Sequence, residues 1–352
     1  MAVAASRTME IIGQVRQNDK RQDGRRAPSG VRRSLAIGGA TILAVACSGL
    51  PVRLLGPDLT RHEQEQQHAL GATTDSAPGP GAAGPAATLS FGAPQREQVR
   101  TAAHALESYA GKLERAEARR TAAAKTWGLR RVPLRPPEPP AAPLRLTSER
   151  GHVSGKGLPP VIVRVPTDDK VVFLTIDDGA DKDPELLRML RELDIPVTGF
   201  LSDEVAREDY GYFRDALDDG HHSHNHTINH REMTRLTYAE QRAEICGQQT
   251  NLTRELDERP TLFRPPYGAY NRDTLRAAAD CGIEAVPLWA EEAFPDRIEY
   301  GRTDRRLHPG DIILTHFRGE REWDGSMADM LRRVLDTCAE QGFAIARLED
   351  YV

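Results

Sequence analysis

The C-terminal two thirds of the chain alternate between short apolar runs and longer stretches in which apolar residues recur every three or four positions. The short runs predict buried β-strands, and the longer stretches predict amphipathic helices. The predicted strands cover 160–166, 170–176, 196–201, 262–264, 284–289, 311–315 and 343–346. The predicted helices cover 184–193, 210–219, 238–256, 273–281 and 327–341. This order implies parallel strands joined by crossover helices, which is an α/β fold.

A separate helical pattern lies upstream, within residues 95–130. Its apolar positions recur at helical spacing among many charges: Val99, Ala102, Ala103, Leu106, Tyr109, Leu113 and Ala116. The pattern predicts one long, charged amphipathic helix. It leaves three partners open for the apolar stripe: the folded domain, another protein or a second copy of the chain.

Proline-rich stretches flank this helix on both sides. Residues 51–94 are mainly Ala, Gly, Pro and polar residues, which cannot bury a core, so we expect a disordered linker. Residues 131–158 contain several closely spaced prolines, which favour a stiff, polyproline-like spacer. Such a spacer would hold the folded domain, predicted to cover 159–352, away from a surface. An inert linker fits the same composition.

The first 50 residues have the organisation of an export signal, with a polar, basic head followed by an uncharged stretch over 35–50. This stretch is short for a bilayer span. Arg32 and Arg33 directly before it resemble a twin-arginine signal. The run Ala44-Val45-Ala46-Cys47 resembles a lipoprotein cleavage site, with Cys47 as the candidate lipidated residue. An uncleaved membrane anchor is the alternative, and all three versions predict an exported protein, secreted or attached to the cell envelope.

Charge and cysteine content narrow the functional class of the protein further. The 352 residues carry a net charge of −5 with both signs interspersed, so no positive field favours nucleic acid. The four cysteines are far apart, and no close pair indicates a zinc knuckle or a redox motif. Cys246, Cys281 and Cys338 fall in helical or strand patterns, where buried thiols are common. One disulfide among them would fit export, but the sequence does not identify the pair.

Two adjacent carboxylates end one of the predicted strands. Asp177 and Asp178 lie just after the apolar run 171–174, and Gly179 follows them. Because adjacent side chains on a strand point to opposite sides, one carboxylate can hold a cation while the other faces a reacting group. Solvated turns also contain acidic pairs before a glycine, so this pair alone does not decide the function.

Three later stretches add candidate chemistry. Five of the 11 histidines lie within residues 220–230. His226 and His230 are four apart, which in a helical turn places both imidazoles on one face, within reach of one metal ion. His222 and His226 share this spacing, so spacing alone does not select a pair. Residues 263–268 read Phe-Arg-Pro-Pro-Tyr-Gly, and residues 312–316 read Ile-Ile-Leu-Thr-His.

Together and in this order, these four motifs resemble those of the polysaccharide deacetylases of carbohydrate esterase family 4, the NodB-homology domain. The resemblance covers about residue 161 to the C-terminus. It implies a distorted, incomplete (β/α) barrel. The site of such a barrel lies at the carboxyl ends of the strands, where Asp177, Arg264, Trp289 and His316 would all be.

The resemblance also implies a role for each residue of the site. The metal ligands that it implies are Asp178, His226 and His230. Asp177 matches the general base, Arg264 the arginine that orients this base, and His316 the general acid that protonates the leaving amine. The backbone N–H of Tyr267 matches the group that faces the oxyanion, and Trp289 is expected to line the acetyl pocket. We expect His222 and His224 to be surface histidines.

The chain departs from the family pattern at several positions. Ala180 and Arg231 replace prolines that usually follow the aspartate pair and the second histidine. After the position of Trp289 the family usually has a tryptophan and aspartates, one of which tunes the catalytic histidine. No aspartate lies at the equivalent position of this chain. The candidates to take its place are Glu291, Glu292 and Asp296.

The resemblance therefore predicts a metal-dependent hydrolase that removes N-acetyl groups from a polysaccharide, such as peptidoglycan or a chitin-like polymer. Imidazole and carboxylate ligands favour one divalent ion, with zinc preferred and cobalt or nickel as alternatives. The predicted partner is the acetylated polysaccharide, and a membrane is contacted only through the N-terminal signal or anchor. Two rival hypotheses are an O-acetyl (xylan) esterase with the same site and a noncatalytic cell-wall-binding protein.

Overall fold

The structure, a computed structural model, describes residues 93–352. The helices are α1 (Ala93–Thr126), α2 (Pro184–Leu193), α3 (Asp203–Ala206), α4 (Tyr210–Asp218), α5 (Tyr238–Leu256), α6 (Arg272–Asp280) and α7 (Met327–Gln341). The strands are β1 (Val161–Ile162), β2 (Val171–Asp178), β3 (Thr198–Leu201), β4 (His222–Asn225), β5 (Val286–Pro287), β6 (Glu291–Ala293), β7 (Ile298–Tyr300), β8 (Ile312–His316) and β9 (Ala344–Ile345). The predicted export signal, Cys47 and the predicted linker up to residue 92 lie outside the described residues, and residues 93 and 94 of that linker belong to α1. Among residues 93–352, no helix is both long and apolar enough to cross a bilayer.

Strand β2 is the centre of the sheet. All eight of its residues are buried, as its apolar sequence predicts for a strand covered on both faces. It pairs in parallel with β3 on one side and β8 on the other, and β9 pairs with its first two residues. The strand order is β4-β3-β2-β8-β6-β7, and only β7 of this series runs antiparallel to its neighbour.

The sheet curves into a barrel that is not fully paired. Beyond β4, isolated bridges join Asn225 to Phe263 and Leu262 to Ala285, in the direction of the small β1–β5 sheet. The Ile312 N–H then donates to the Val163 carbonyl at 3.4 Å, which links the β1 side back to β8. This arrangement confirms the distorted, incomplete (β/α) barrel that the resemblance implies. The predicted strand 262–264 forms only bridges because its pairing is interrupted before the Pro265-Pro266 turn.

The crossover helices cover the outside of the barrel. Helices α2, α5 and α7 have the bounds that the apolar periodicity predicts. Helix α2 starts at a capping Asp183 and buries Leu186, Leu190 and Leu193. Helices α5 and α7 each begin with a capping box, in which a side chain at each end of the first turn satisfies a free backbone N–H.

The upstream helix packs on the folded domain C-terminal to its predicted apolar stripe, so the partner of that stripe stays open. Its C-terminal half packs on the folded domain, because Trp127 is buried and its indole N–H donates to Glu192 at 2.7 Å. Arg120 is also buried and donates to the Leu193 carbonyl at 2.9 Å. Farther from the domain, large apolar side chains of the same helix stay exposed: Leu106, Tyr109 and Leu113.

The stretch 131–158 does not stand away from the domain as a spacer would. Arg135 forms an ion pair with Asp194 at 2.9 Å, and the Leu144 N–H donates to the Tyr351 carbonyl at 3.0 Å. Leu144 and Leu146 pack against the core. The prediction of a spacer was therefore wrong for this stretch, because proline composition indicates an extended backbone but not whether apolar residues between the prolines dock on the protein.

Two of the cysteines form a disulfide. Cys246 on α5 is bonded to Cys281 at the end of α6, at a sequence separation of 35. It is the one disulfide that the sequence left open among Cys246, Cys281 and Cys338, and Cys338 is free and buried. The bond joins neighbouring helices that are distant in sequence, which is why the sequence alone could not identify it.

Candidate active site

The site begins where β2 ends. Asp177 lies opposite His316 of β8 and Phe200 of β3 in the parallel register. Asp178 has a φ of 77°, so the chain turns sharply at the second carboxylate. Because parallel strands present their carboxyl ends at the same edge, this register brings the aspartate pair and the histidine of the last motif together.

Asp178, His226 and His230 form a three-ligand cluster. One ligand atom from each residue lies within 4.8 Å of the others. His230 Nε2 is 3.2 Å from Asp178 Oδ1, and the two histidine Nε2 atoms are 3.2 Å apart. The His226 Nδ1 atom is 2.7 Å from the Arg264 carbonyl. This contact makes Nδ1 the donor and leaves Nε2 with a free lone pair, as a metal-binding histidine requires. The donor set therefore fits a divalent metal ion.

The two histidines converge through a loop and not through a helical turn. Thr227 and His230 have φ values of 72° and 47°, so the helical turn assumed in the spacing argument is wrong. The pair that converges is the one that the family resemblance implies. The Glu244 carboxylate of α5 holds the loop by accepting hydrogen bonds from the Ile228 N–H and the Asn229 N–H at 3.1 and 2.8 Å. Glu244 was not singled out in the sequence, since only its position on α5, opposite the loop, indicates this role.

Asp177 is buried next to the metal cluster and paired with Arg264. The Arg264 guanidinium donates to Asp177 Oδ1 at 2.7 Å and to Thr175 Oγ1 at 2.9 Å. Arg264 is itself fully buried, and it also donates to the Pro287 carbonyl at 2.8 Å. Burial raises the pKa of Asp177 above its ordinary value, although the charge of Arg264 opposes the shift.

The pKa of the neighbouring carboxylate, Asp178, is shifted in the opposite direction. Burial acts to raise the pKa of Asp178, but the hydrogen bond from His230 and the charges of the surrounding histidines outweigh it, so this pKa is lowered. Burial lowers the pKa of His226 to about 3. Ionised Asp178 and neutral His226 are the forms in which these side chains bind metal ions.

Of the three candidates to accompany His316, only Glu292 lies beside it. Its Oε1 is 3.8 Å from His316 Nδ1, which is buried without a hydrogen-bond partner among the described residues. Glu291 is instead in contact with Arg302, and Asp296 is exposed and pairs with Arg297. Burial raises the pKa of Glu292 to about 7 and lowers that of His316 to about 4.

A cavity of about 340 Å³ lies over these groups, and its walls include Tyr267 and Trp289. The Tyr267 ring is 47% exposed, and its hydroxyl lies 3.2 Å from His230 Nδ1. Trp289 is buried against Gly268, where a Cβ atom would lie 3.0 Å from the indole. Asp178 contacts His230, and Arg264 contacts Asp177. The sequence-predicted residues that line the cavity itself are Asp177, His226, His230, Tyr267, Trp289 and His316.

The structure also places polar residues that the sequence analysis missed or misassigned. Arg318, two positions after His316, lies 3.2 Å from Asp178 Oδ2 and lines the cavity. His224 is buried and lies 3.0 Å from Glu349 Oε1, so its assignment as a surface histidine was wrong. His222 is half-buried between Glu258 and Arg347. His224 lies on a short polar strand, three of whose four residues are buried, and a search for apolar runs does not find such a strand.

Comparison with known proteins agrees with this geometry. The polysaccharide deacetylase family model matches residues 164–286. An uncharacterized protein of Streptomyces coelicolor, SCO4760, is 47% identical over 199 residues, which cover 56% of this chain and 79% of that protein. A peptidoglycan-N-acetylglucosamine deacetylase of Bacillus cereus is 28% identical over 196 residues, covering 53% and 90%.

A chitooligosaccharide deacetylase of a Bradyrhizobium species is 29% identical over 154 residues, which cover 41% of this chain and 69% of that protein. The matched region of this chain carries the aspartate pair, the histidine loop and the buried arginine, which are the groups that the barrel brings together. The chain belongs to the polysaccharide deacetylases of carbohydrate esterase family 4.

Proposed function

We propose that this protein is a metal-dependent deacetylase that hydrolyses N-acetyl groups of an extracellular or cell-wall polysaccharide, either peptidoglycan or a chitin-like N-acetylglucosamine polymer. The observation that carries the proposal is the arrangement of Asp177 beside the cluster of Asp178, His226 and His230. One carboxylate belongs to the ligand cluster, and its neighbour stays free for chemistry. The named relatives act on peptidoglycan N-acetylglucosamine and on chitooligosaccharides.

Asp178, His226 and His230 would hold the ion, which we expect to be zinc, with cobalt or nickel as alternatives. A divalent ion bound there would polarise a water molecule and the acetyl carbonyl. The protein contributes by keeping Asp178 ionised and His226 neutral, so that neither proton has to be displaced at neutral pH.

Asp177 is the proposed general base. It accepts a proton from the attacking water, whose oxygen adds to the carbonyl carbon of the acetyl group. A base works best when its pKa lies near the working pH, and burial shifts the pKa of Asp177 in that direction. Arg264 fixes the carboxylate through the 2.7 Å hydrogen bond to Oδ1, which leaves Oδ2, 3.7 Å from His226 Nε2, for the water.

The leaving nitrogen needs a proton when the C–N bond breaks. His316 is the proposed donor, but burial lowers its pKa to about 4, so it is neutral at pH 7 and must be supplied with a proton. We infer that Glu292, with a pKa of about 7 and 3.8 Å from His316 Nδ1, provides it. The backbone N–H of Tyr267 is the proposed donor to the oxyanion. Acetate and a free amine are the products.

Export remains part of the proposal, including lipidation of Cys47 as one mode of attachment. The Cys246–Cys281 disulfide supports a location outside the cytoplasm, because such bonds persist in oxidising compartments. The open cavity at the edge of the barrel suits a polymer whose acetyl group enters beside Trp289.

Acetate release by the full chain tests the proposal. The substrates are N-acetylglucosamine oligomers, peptidoglycan and acetylxylan, with Asp177→Asn as the inactive control. We expect release from an N-acetylated substrate, reduced at least about 100-fold in the control. Release from acetylxylan alone would support the esterase, and release from none of the three would support a noncatalytic binding protein.

The variant His316→Ala separates the two hydrolases further. An amide needs protonation of its leaving nitrogen, whereas an ester leaving group needs less help from an acid. We therefore expect the variant to lose much more activity on N-acetylated oligomers than on acetylxylan. Equal losses on both substrates would contradict the role of His316 as the acid.

A further inference from the structure

A third tryptophan, Trp323, lines the same cavity as the candidate active site. The chain has three tryptophans. Trp127 and Trp289 are buried, at 8% and 6% exposure, and Trp127 donates its indole N–H to Glu192. Trp323 is half-buried, lines the cavity and, within the part of the chain that the structure describes, has no hydrogen-bond partner for its indole N–H. Part of its surface is therefore available to a ligand.

Trp323 is held in place from both sides. It belongs to the connection 317–325, which starts directly after His316 and ends at the cap of α7. The backbone N–H of Trp323 donates to the Gly319 carbonyl at 3.1 Å, and its ring packs edge-to-face with Phe294, with 6.2 Å between the ring centroids. At Gly325, with a φ of 149°, a Cβ atom would lie 2.6 Å from Pro295, so only glycine permits this approach.

Such a fixed aromatic surface beside a reaction centre suits a sugar ring. The face of an indole is electron-rich and apolar, and it attracts the C–H groups on the flat face of a pyranose. The indole N–H remains able to donate to a sugar hydroxyl or an acetamido oxygen. Because Trp323 is preorganised by Phe294 and Gly319, binding would cost little ordering of the protein.

The charges beside Trp323 favour one class of sugar. Glu322 and Asp324 are exposed, and neither has an ion-pair partner among residues 93–352. The cations of the cavity are already paired: Arg297 with Asp296 and Glu299, and Arg318 with Asp178. A carboxylate on the neighbouring sugar would therefore meet uncompensated negative charge, whereas a neutral or amine-bearing sugar would not.

We propose that Trp323 forms a subsite for a neighbouring sugar of the polymer, and that this subsite prefers an uncharged or amino sugar to a carboxylate-bearing one. The inference rests on the proposed function, since it names the substrate class of the same site. It adds a specificity-determining residue outside the metal cluster and the proton-transfer groups.

Binding tests the subsite independently of catalysis. The full chain with Asp177→Asn is titrated with N-acetylglucosamine dimer and hexamer, alone and combined with Trp323→Ala or Trp323→Phe. We expect Trp323→Ala to weaken hexamer binding about tenfold, which corresponds to about 1.4 kcal/mol, and to weaken dimer binding less. Trp323→Phe keeps an aromatic face and should restore most of the affinity. The matched control is Tyr109→Ala, which removes an exposed ring from α1.

Equal hexamer affinity with and without the Trp323 ring would overturn the subsite. If the wild-type chain released no acetate and hexamer binding still depended on Trp323, the proposed function would fail while the subsite would stand. If acetate were released and the Trp323→Ala variant showed an unchanged hexamer-to-dimer ratio of kcat/KM, the subsite would fail and the function would stand.

A separate comparison of ligands tests the preference of the subsite for an uncharged or amino sugar. An oligosaccharide that carries the lactyl carboxylate of N-acetylmuramic acid should bind the Asp177→Asn chain more weakly than a neutral oligomer of equal length. In the double variant Glu322→Gln and Asp324→Asn this difference should shrink severalfold. Tighter binding of the carboxylate-bearing ligand, or an unchanged difference in the double variant, would contradict the preference.

Discussion

Asp177 and Asp178 are neighbours in sequence, but their carboxyl groups have opposite surroundings. Burial dominates around Asp177 and raises its pKa, whereas His230 and the other imidazoles around Asp178 lower that of the second carboxylate. Two carboxyl groups whose pKa values are driven apart are suited to different tasks. The local backbone makes this division possible, because Asp178 turns into a left-handed conformation at the end of β2.

We predict that the two aspartates can be separated by their effect on metal binding. Asp178→Asn removes a charged ligand and should weaken zinc binding at least about tenfold. Asp177→Asn should keep zinc affinity within a few-fold of the wild type while it abolishes acetate release. Isothermal titration of the metal-free chain with zinc measures both. An equal loss of zinc affinity in the two variants would show that Asp177 is also a ligand.

The buried carboxyl of Glu292 gives a prediction about stability and pH. Burial raises its pKa from 4.5 to about 7, so between these values the folded protein keeps a proton that the unfolded chain releases. Its contribution to the free energy of unfolding is therefore present below about pH 4.5 and is lost as the pH rises to about 7. The free energy of unfolding of Glu292→Gln should therefore rise, relative to that of the wild type, by up to about 3 kcal/mol between pH 4.5 and 8.

Urea denaturation of both chains across this pH range measures the effect. Other titrating groups change the stability of both proteins alike, so the difference between the two curves isolates Glu292. Glu185→Gln is a matched control, since Glu185 is an exposed glutamate of α2 that pairs with Arg188. A constant difference between wild type and Glu292→Gln from pH 4.5 to 8 would contradict a raised pKa.

At the scale of elements, the sequence predicted helices better than strands. Helices α2, α5 and α7 match their predicted bounds because a long apolar stripe has few alternatives. Strands β4 and β6 escaped prediction because they are polar: β4 reads His-Ser-His-Asn, and β6 begins with Glu291 and Glu292. Both are buried at the carboxyl edge of the barrel, where functional groups replace the apolar residues on which strand prediction depends.

The sequence predicted the residues of the site more completely than the strands on which they lie. The order of the four motifs identified residues from Asp177 to His316 that meet at one cavity. The identity of the glutamate beside His316 could not be predicted, since it depends on how β6 pairs with β8. Arg318 and Trp323 were also missed, because their positions depend on the path of the connection after β8.

The disulfide between α5 and α6 gives a prediction at this scale. The bond joins residues at a sequence separation of 35, and removing it frees the unfolded chain from that constraint. We expect Cys246→Ser combined with Cys281→Ser to lower the free energy of unfolding by about 2–4 kcal/mol. A reductant should destabilise the wild type equally and leave the double variant unchanged. Equal stability of the wild type under oxidising and reducing conditions would show that the bond contributes nothing.

At the scale of the molecule, the folded domain extends upstream of the predicted boundary at residue 159. Arg130 bonds to Asp336 of α7 at 3.0 Å, and Trp127 packs among core residues of the barrel. The segment from α1 to β1 therefore covers the outside of the barrel. Residues 104–352 belong to one compact unit, although the family resemblance begins only near residue 161.

Truncation tests this extension. We predict that a chain starting at residue 104 unfolds at nearly the same urea concentration as the full chain. The free energy of unfolding of a chain starting at residue 159 should be lower by more than about 3 kcal/mol. This chain lacks the buried Trp127 and Arg120 and exposes the apolar surface that they cover. Equal stability of the two truncated chains would mean that the upstream segment only rests on the barrel.

The central claim is that the cluster of Asp178, His226 and His230 makes the protein a metal-dependent deacetylase, and removal and return of the ion test it most directly. Acetate release from N-acetylglucosamine hexamer is measured for the full chain as purified, after chelation, and after addition of one equivalent of zinc. The account predicts release that disappears with the ion and returns with zinc, and no return in His226→Ala. Undiminished release from the metal-free chain would contradict it.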